Sequence, residues 1–381
     1  MSREGGASVG RRPKVVTVMV KTNPHDHYLY KIQMNELETL LSTLGYAPVY
    51  RLIQVRQKPT VNYVLGRGKV EELKEKVRQI EPELVAFYNT LSSKQKWNLE
   101  RALDVEVVDR YEVTLRIFRE AASDVISKLQ IDLAALSKAL PYIKLAASKK
   151  YLRMRAGFLG GGEYAYHRAV NAVQRRMKIL RRKIEKLERQ KLDQVRKRIE
   201  AGGKIVVITG YYNAGKTSLF NALTGMEKPV SPQPFTTLSS KYAALLDGRV
   251  YLVDTIGFVL GLDPRLIHSF RLNAIDMQYS QLALLVVDVS EKPEVAKVKI
   301  SECLRLLREL GKEPEDLLVV FNKADLVTEE ILRERVREYS KPVEEAPHVV
   351  VSAKTGQGLD QLVRKMADLL EERDAVPPER P

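Results

Sequence analysis

The sequence predicts an α/β protein in three parts. These are an N-terminal open α/β domain over residues 14–122, a basic antiparallel helical hairpin over 123–201 and a C-terminal doubly wound domain over 202–374. Three observations carry this. Short apolar runs alternate with amphipathic stretches towards both ends of the chain, the rhythm of a parallel α/β layer. In the middle the apolar spacing changes to a repeated 3, 4 pattern, the seam of paired long helices. Glycine-rich breaks fall between the two helical seams, at Gly157–Gly162, and before the C-terminal part, at Gly202-Gly203. The 381 residues suffice for two or three independent cores. With 44% hydrophobic and 29% charged residues, a mostly disordered or fibrous chain is excluded.

In the first part, Lys14–Lys21 (KVVTVMVK) reads as a strand, Gln33–Leu44 as a helix ending at Gly45, and Pro48–Val55 as a second strand. Lys69–Ile80 follows as a helix, Leu84–Tyr88 as a strand, Ser92–Leu103 as a helix and Val105–Val108 as a last strand. Residues 1–13 read as a disordered tail.

From Ser123, which could cap a helix, Ile126, Leu129, Leu133, Leu136, Leu140 and Ile143 form one stripe. Pro141 predicts a kink near its end. Beyond the glycine loop a second stripe runs through Val170, Val173, Met177, Leu180, Ile184 and Leu187. It resumes out of step at Leu192, Val195 and Ile199, which predicts a bend or break near Gln190. Two matching seams joined by a loop predict a helical hairpin.

The third part reads as strand Ile205–Thr209, helix Lys216–Leu223, and strands Tyr242–Leu246 and Val250–Val253. A helix around Pro264–Ile275 and strands Leu282–Val287, Leu317–Phe321 and His348–Val351 follow. They are interleaved with helices Val295–Leu310, Glu329–Tyr339 and Leu359–Glu372. Residues 375–381 read as a tail.

Chemistry concentrates at the strand ends of this third part. Gly210-Tyr-Tyr-Asn-Ala-Gly-Lys-Thr217 fits G-x-x-x-x-G-K-[ST] between a predicted strand and helix. Its loop, with Gly210, Asn213, Ala214, Gly215 and Ser218, turns backbone N–H groups towards a phosphate chain at a helix N-terminus. Lys216 would bridge the outer phosphates, and Thr217 would ligate Mg2+. Asp254-Thr-Ile-Gly257 closes the next apolar strand, where Asp254 can hold Mg2+ through a water and the Gly257 N–H can touch a terminal phosphate. Asn322-Lys-Ala-Asp325 selects the base: the Asp325 carboxylate can accept from guanine N1–H and N2–H2, donors that adenine does not present there, while Lys323 lies along the ring. Ser352-Ala353-Lys354 supplies a backbone N–H for the guanine O6. Together these predict a P-loop GTPase domain that binds GTP and GDP.

Between the P-loop and Asp254, Pro234-Phe-Thr-Thr-Leu238 stands where a hydroxyl would complete the metal shell when the third phosphate is present. Thr237 is the chosen ligand and Thr236 its close competitor. Lys216, Thr237 and Gly257 are the candidate catalytic residues. Phe258 follows the motif where a glutamine would orient the attacking water, so hydrolysis by the isolated protein is expected to be slow. Asn213 in the P-loop raises a hypothesis of K+ beside the phosphates.

The net charge of +15 is uneven. Residues 1–200 hold 40 Lys and Arg against 22 acids, and residues 201–381 hold 23 against 26. Between Glu163 and Glu200 there are 13 basic and 5 acidic residues, with Arg175, Arg176, Arg181, Arg182 and Lys183 as candidate nucleic-acid contacts. The single cysteine, Cys303, excludes an internal disulfide framework and suits a reducing compartment. No apolar stretch reaches the ~20 residues of a membrane span, and the N-terminus lacks a signal-peptide core. A cytoplasmic monomer is expected.

The order of an α/β domain, Tyr63-Val-Leu-Gly-Arg-Gly-Lys69, a glycine-containing helical hairpin, then Gly210–Thr217 with Asp254-Thr-Ile-Gly-Phe258 resembles the HflX family of ribosome-associated GTPases. The resemblance implies that the first domain and hairpin contact the large ribosomal subunit and its rRNA, and that GTPase activity is stimulated there. Members of the family can split ribosomes. The glycine loop here, Gly157–Glu163, is shorter than the family signature. Two other readings remain open at this point: a GTPase acting on structured rRNA during ribosome assembly, and a nucleotide-gated protein-interaction module.

Overall fold

The computed structural model describes residues 12–26, 28–122, 124–155, 162–226, 241–255, 257–261, 271–343 and 346–374. Most of the expected N-terminal tail, the glycine loop at 156–161, the Pro234–Leu238 segment and the tail at 375–381 lie outside the described residues. The chain divides into two compact units, Met1–Ile117 with Ala139–Val170, and Phe118–Lys138 with Asn171–Pro381. This division cuts through the hairpin expected over 123–201. Residues 139–170 group with the first sheet, and 123–138 and 171–201 with the second.

In the first unit, β1 (Lys14–Lys21), β2 (Ala47–Val55), β3 (Leu84–Phe87) and β4 (Glu106–Asp109) form a parallel sheet in the order β2-β1-β3-β4. The central β1 is buried from Val15 to Val20, as befits a strand covered on both faces. Helices α1 (Leu29–Thr43), α2 (Arg67–Ile80) and α3 (Ser93–Leu103) make the crossovers. Ser92 and Gln95 cap α3 reciprocally. Helix α4 (Arg110–Ala121) was not among the predicted elements.

Helix α5 (Val125–Arg155) starts at Asp124, whose Oδ1 accepts the Ser127 N–H at 2.8 Å. The cap is therefore Asp124, and Ser123 lies outside the described residues. Pro141 sits inside this helix. Within the second unit the buried face of α5 runs through Ser127, Gln130, Ile131 and Ala134, whereas Leu129, Leu133 and Leu136 are only half-buried. The predicted leucine stripe is thus offset from the face that packs.

Helix α6 runs unbroken from Gly162 to Glu200, about 58 Å at 1.5 Å per residue. No break occurs at Gln190, since the interior holds neither glycine nor proline and is rich in good helix formers. Met177, Leu180 and Ile184 are buried on the predicted seam, and Val195 is fully buried further along.

The second unit is built on β5 (Lys204–Gly210), β6 (Lys241–Leu245), β7 (Val250–Asp254), β8 (Leu282–Asp288), β9 (Leu317–Asn322) and β10 (His348–Val350). Their order is β10-β9-β8-β5-β7-β6, with β6 antiparallel to β7 and the other pairs parallel. Helices α7 (Lys216–Thr224), α8 (Arg271–Tyr279), α9 (Pro293–Glu309), α10 (Glu329–Ser340) and α11 (Leu359–Asp374) accompany them. Of the helix predicted over Pro264–Ile275, residues 264–270 lie outside the described residues, and Arg271–Ile275 fall within α8. Leu219, Phe220, Leu362 and Met366 close the core against the sheet. Among the described residues, no helix is long and apolar enough to cross a membrane.

Candidate nucleotide-binding site

The sheet order puts a topological switch point at β5, flanked by β7 on one side and β8 on the other, where the carboxyl ends of parallel strands leave a crevice. Gly210, Asp254, Asp288 and Asn322 each terminate a strand there. Gly210 to Gly215 form the turn into α7. Gly215 has φ +93°, and a Cβ on it would fall 2.2 Å from Asn322 Nδ2. Only glycine fits that approach, and the approach matters because Asn322 donates to the Ala214 carbonyl at 2.9 Å. The Asn322 Oδ1 also accepts the Ala353 N–H at 3.0 Å. One side chain thus ties the phosphate loop to the Ser352–Lys354 loop, and a guanine O6 would compete with it for the Ala353 N–H.

Lys216 is buried and donates to the Tyr211 carbonyl at 2.7 Å. Burial lowers its pKa to about 8, against the pull of Asp254 in the other direction. Thr217 donates its hydroxyl to Asp254 Oδ2 at 3.2 Å. This pairing of a hydroxyl with a carboxylate beside the phosphate loop is an all-oxygen donor set, which suits Mg2+. Thr236 and Thr237 lie outside the described residues.

The residues after Asp254 fold back on the phosphate loop. Phe258 donates its N–H to Gly210 O at 3.0 Å and accepts the Tyr212 N–H at 2.9 Å, and the Tyr211 hydroxyl accepts the Leu260 N–H at 2.9 Å. Gly257 is pressed against the lysine: a Cβ there would lie 2.7 Å from Lys216 Nζ.

At the strand end where base recognition is expected, Asp325 is exposed and Ser352 Oγ donates to its Oδ1 at 2.6 Å, so one carboxylate oxygen is held. Lys323 has φ +67° and pairs with Asp288 at 2.6 Å, which fixes the stem proposed to lie along the base. Lys354 is exposed. Asp288 is a contributor that the motifs did not name, although an acid closing an apolar strand is the same signal that marked Asp254. Arg175, Arg176, Arg181, Arg182 and Lys183 belong to α6, and all five are exposed.

Family models described as GTP-binding GTPase N-terminal, GTP-binding GTPase Middle Region and 50S ribosome-binding GTPase match residues 31–119, 122–198 and 205–323. The chain is 34% identical over 375 residues to a protein of Thermofilum pendens named GTPase HflX, covering 96% of this chain and 85% of that one. It is also 34% identical over 353 residues to a protein of the same name from Hyperthermus butylicus, covering 90% and 93%. A crystal structure of an SsGBP–GDP complex superposes with a TM-score of 0.50 at 23% identity, covering 94% of this chain and 99% of that one. At that identity the likeness concerns the fold.

Proposed function

The chain belongs to the HflX family of GTPases and hydrolyses GTP, and from that premise we propose that it is a GTP-driven switch whose basic helix docks on rRNA of the large ribosomal subunit. One observation carries the docking: on α6, Met177, Leu180 and Ile184 are buried while Arg175, Arg176, Arg181, Arg182 and Lys183 are exposed. Of these five cations, Arg176 has an ion-pair partner among the described residues, Asp132 at a loose 3.4 Å. Exposed cations clustered on the part of one helix that its buried stripe leaves uncovered favour a polyphosphate partner. The description of the matched family as a 50S ribosome-binding GTPase supports the same partner.

In this reading the nucleotide phosphates lie along the loop from Gly210 to Thr217, with Lys216 and Ser218 at the start of α7, and Asp325 reads the base. Thr217 and Asp254 would hold Mg2+, with Thr237 as a further ligand; the ion would neutralise charge on the phosphates. Gly257 would contact the third phosphate, so that its loss releases the segments around Thr237 and Gly257. Phe258 offers no group to orient water, so turnover by the free protein is slow and the ribosome accelerates it. K+ near Asn213 would add positive charge; equal rates in sodium and potassium buffers would remove that part. The principal test compares GTP turnover with and without purified large subunits. A rise of tenfold or more, about 1.4 kcal/mol of barrier, is expected. Co-sedimentation should weaken steeply with salt and be lost on charge reversal at Arg181, Arg182 and Lys183. Binding that resists high salt and nuclease but is lost on changing Leu180 and Ile184 would favour a protein partner instead.

A further inference from the structure

The C-terminal third of α6 is fastened to the nucleotide-binding unit at one carboxylate. Asp276, on α8, is fully buried. Its Oδ2 accepts from Lys191 Nζ of α6 at 2.5 Å, and its Oδ1 accepts the hydroxyl of Tyr242 of β6. The guanidinium of Arg198, two turns beyond Lys191, lies 4.2 Å from the Tyr242 ring centre and 5.5 Å from that of Tyr251 on β7. The junction to β5 has no slack. Only Ala201–Gly203 separate α6 from β5, and a Cβ on Gly203 would fall 2.6 Å from the Tyr251 ring.

The positions of these residues in the chain give the cluster its meaning. Strand β6 is the first described element after the Pro234–Leu238 segment, and α8 is the first described helix after Asp254–Gly257. One carboxylate therefore joins the elements downstream of both proposed nucleotide-sensing segments to the helix that carries the basic face. We infer that Asp276, with Lys191 and Tyr242, is a positioning latch that couples α6 to nucleotide state, so that a partner pulling on the basic helix shifts the preference between GDP and GTP. The latch is formed in an arrangement where Gly257 packs against Lys216, in the place a third phosphate would have to enter. Weakening the latch should therefore favour the triphosphate. A latch with the same strength in both states would shift nothing, however strong it is.

This inference rests on the switch reading above, but its test needs no ribosome, so the two can fail separately. Full-length wild type, Lys191→Met, Lys191→Arg and Tyr242→Phe are titrated with GDP and with GTPγS in Mg2+ buffer, and their melting temperatures are recorded. Lys191→Met should move the GTPγS-to-GDP affinity ratio at least threefold towards GTPγS, with Lys191→Arg returning it to the wild-type value. Hydrogen exchange over Lys191–Glu200 of the wild type should differ between the two nucleotides. A ratio changed less than threefold, or moved towards GDP, would reduce the cluster to a structural staple and overturn the proposal even if the melting temperature fell. Should Lys191→Met not fold, Tyr242→Phe, which loses only a hydroxyl, decides by the same threshold.

Discussion

The two sheets of this protein share an architecture and differ in what they do with their carboxyl edges. At the edge of the first sheet, Asn89 grips β1 through both ends of its amide, accepting the Val20 N–H at 2.7 Å and donating to Val20 O at 3.0 Å. Asp109 accepts the Leu91 and Glu112 N–H groups, and Arg110 pairs with the buried Glu36 at 2.7 Å while donating to the Tyr88 hydroxyl. These polar groups are turned inward upon one another. At the edge of the second sheet, Asn322 and Ser352 are buried and hold the phosphate loop and Asp325 from behind, while Asp325 itself stays exposed. A parallel α/β layer therefore does not make a site by itself. A site arises where edge groups are oriented from one side and left open on the other.

The largest effect should come from the open side. Asp325→Asn replaces an acceptor by a group that also donates, leaving the guanine N–H donors without their carboxylate. GTP affinity measured by calorimetry should fall roughly 10³-fold, about 4 kcal/mol, with ATP affinity unchanged. The melting temperature should hold, since an exposed side chain is altered. Unchanged GTP affinity would remove the chemical half of the contrast.

The inward-facing edge should answer in stability instead. Arg110→Met strips the compensating charge from Glu36, which is 4% exposed, and should cost about 3 kcal/mol in the first urea transition while leaving GTP affinity intact. Adding Glu36→Leu should recover most of the loss, because the pair taken together is a weak source of stability. A tenfold loss of nucleotide affinity in Arg110→Met would instead make the first edge part of the site.

How much of this could be read in advance depends on the range of the interaction. Strand β1 falls at its predicted bounds, Lys14–Lys21, and the phosphate-loop, Asp254, Asn322 and Ser352 motifs all lie at or just beyond strand ends, because each is written in a few adjacent residues. Helix α4 was not legible because Tyr111, Val113, Leu115 and Ile117 alternate with polar residues, the period of a strand. It forms a helix because Asp109 and Glu112 cap each other's N–H groups at 3.0 and 3.2 Å, and because Thr114 and Phe118 are buried as well, so the segment is enclosed on more than one side. In α5 a regular leucine stripe pointed to one face, while Ser127 and Gln130, polar by type, are buried beside Ile131 and Ala134. The groups that aim the candidate site, Ser352 for Asp325 and Asp288 for Lys323, come from segments 27 and 35 residues away, and no local pattern announces such pairings.

A pH titration sharpens the contrast between the two edges. The cation of the first edge is an arginine, which keeps its proton throughout the working range. The cation of the second, Lys216, has a pKa brought down to about 8 by burial in the nucleotide-free protein. A phosphate chain would raise that value, so the bound state holds more protons than the free one above pH 8, and binding weakens as pH rises. Between pH 8.5 and 9.5 the loss should approach tenfold, about 1.4 kcal/mol. Calorimetry in buffers of different ionisation enthalpy should read proton uptake near one at pH 9 and near zero at pH 6.5. Uptake that does not change with pH would mean that Lys216 is charged before the phosphates arrive.

The smallest effect tests orientation alone. Ser352 is fully buried, and its hydroxyl donates to Asp325 at 2.6 Å while accepting the Thr355 N–H at 3.2 Å. Ser352→Ala leaves the Asp325 charge in place but frees the carboxylate to rotate, so GTP affinity should fall about fivefold, near 1 kcal/mol, with no change for ATP. Its counterpart on the first edge is Asn89→Ala, which removes two hydrogen bonds to β1 and should lower stability while leaving GTP affinity untouched. The pair of variants separates two uses of a buried hydrogen bond. If Ser352→Ala also changed stability alone, Asp325 would not depend on its support from behind, and the second edge would owe its chemistry to motif residues acting independently rather than to an oriented open face.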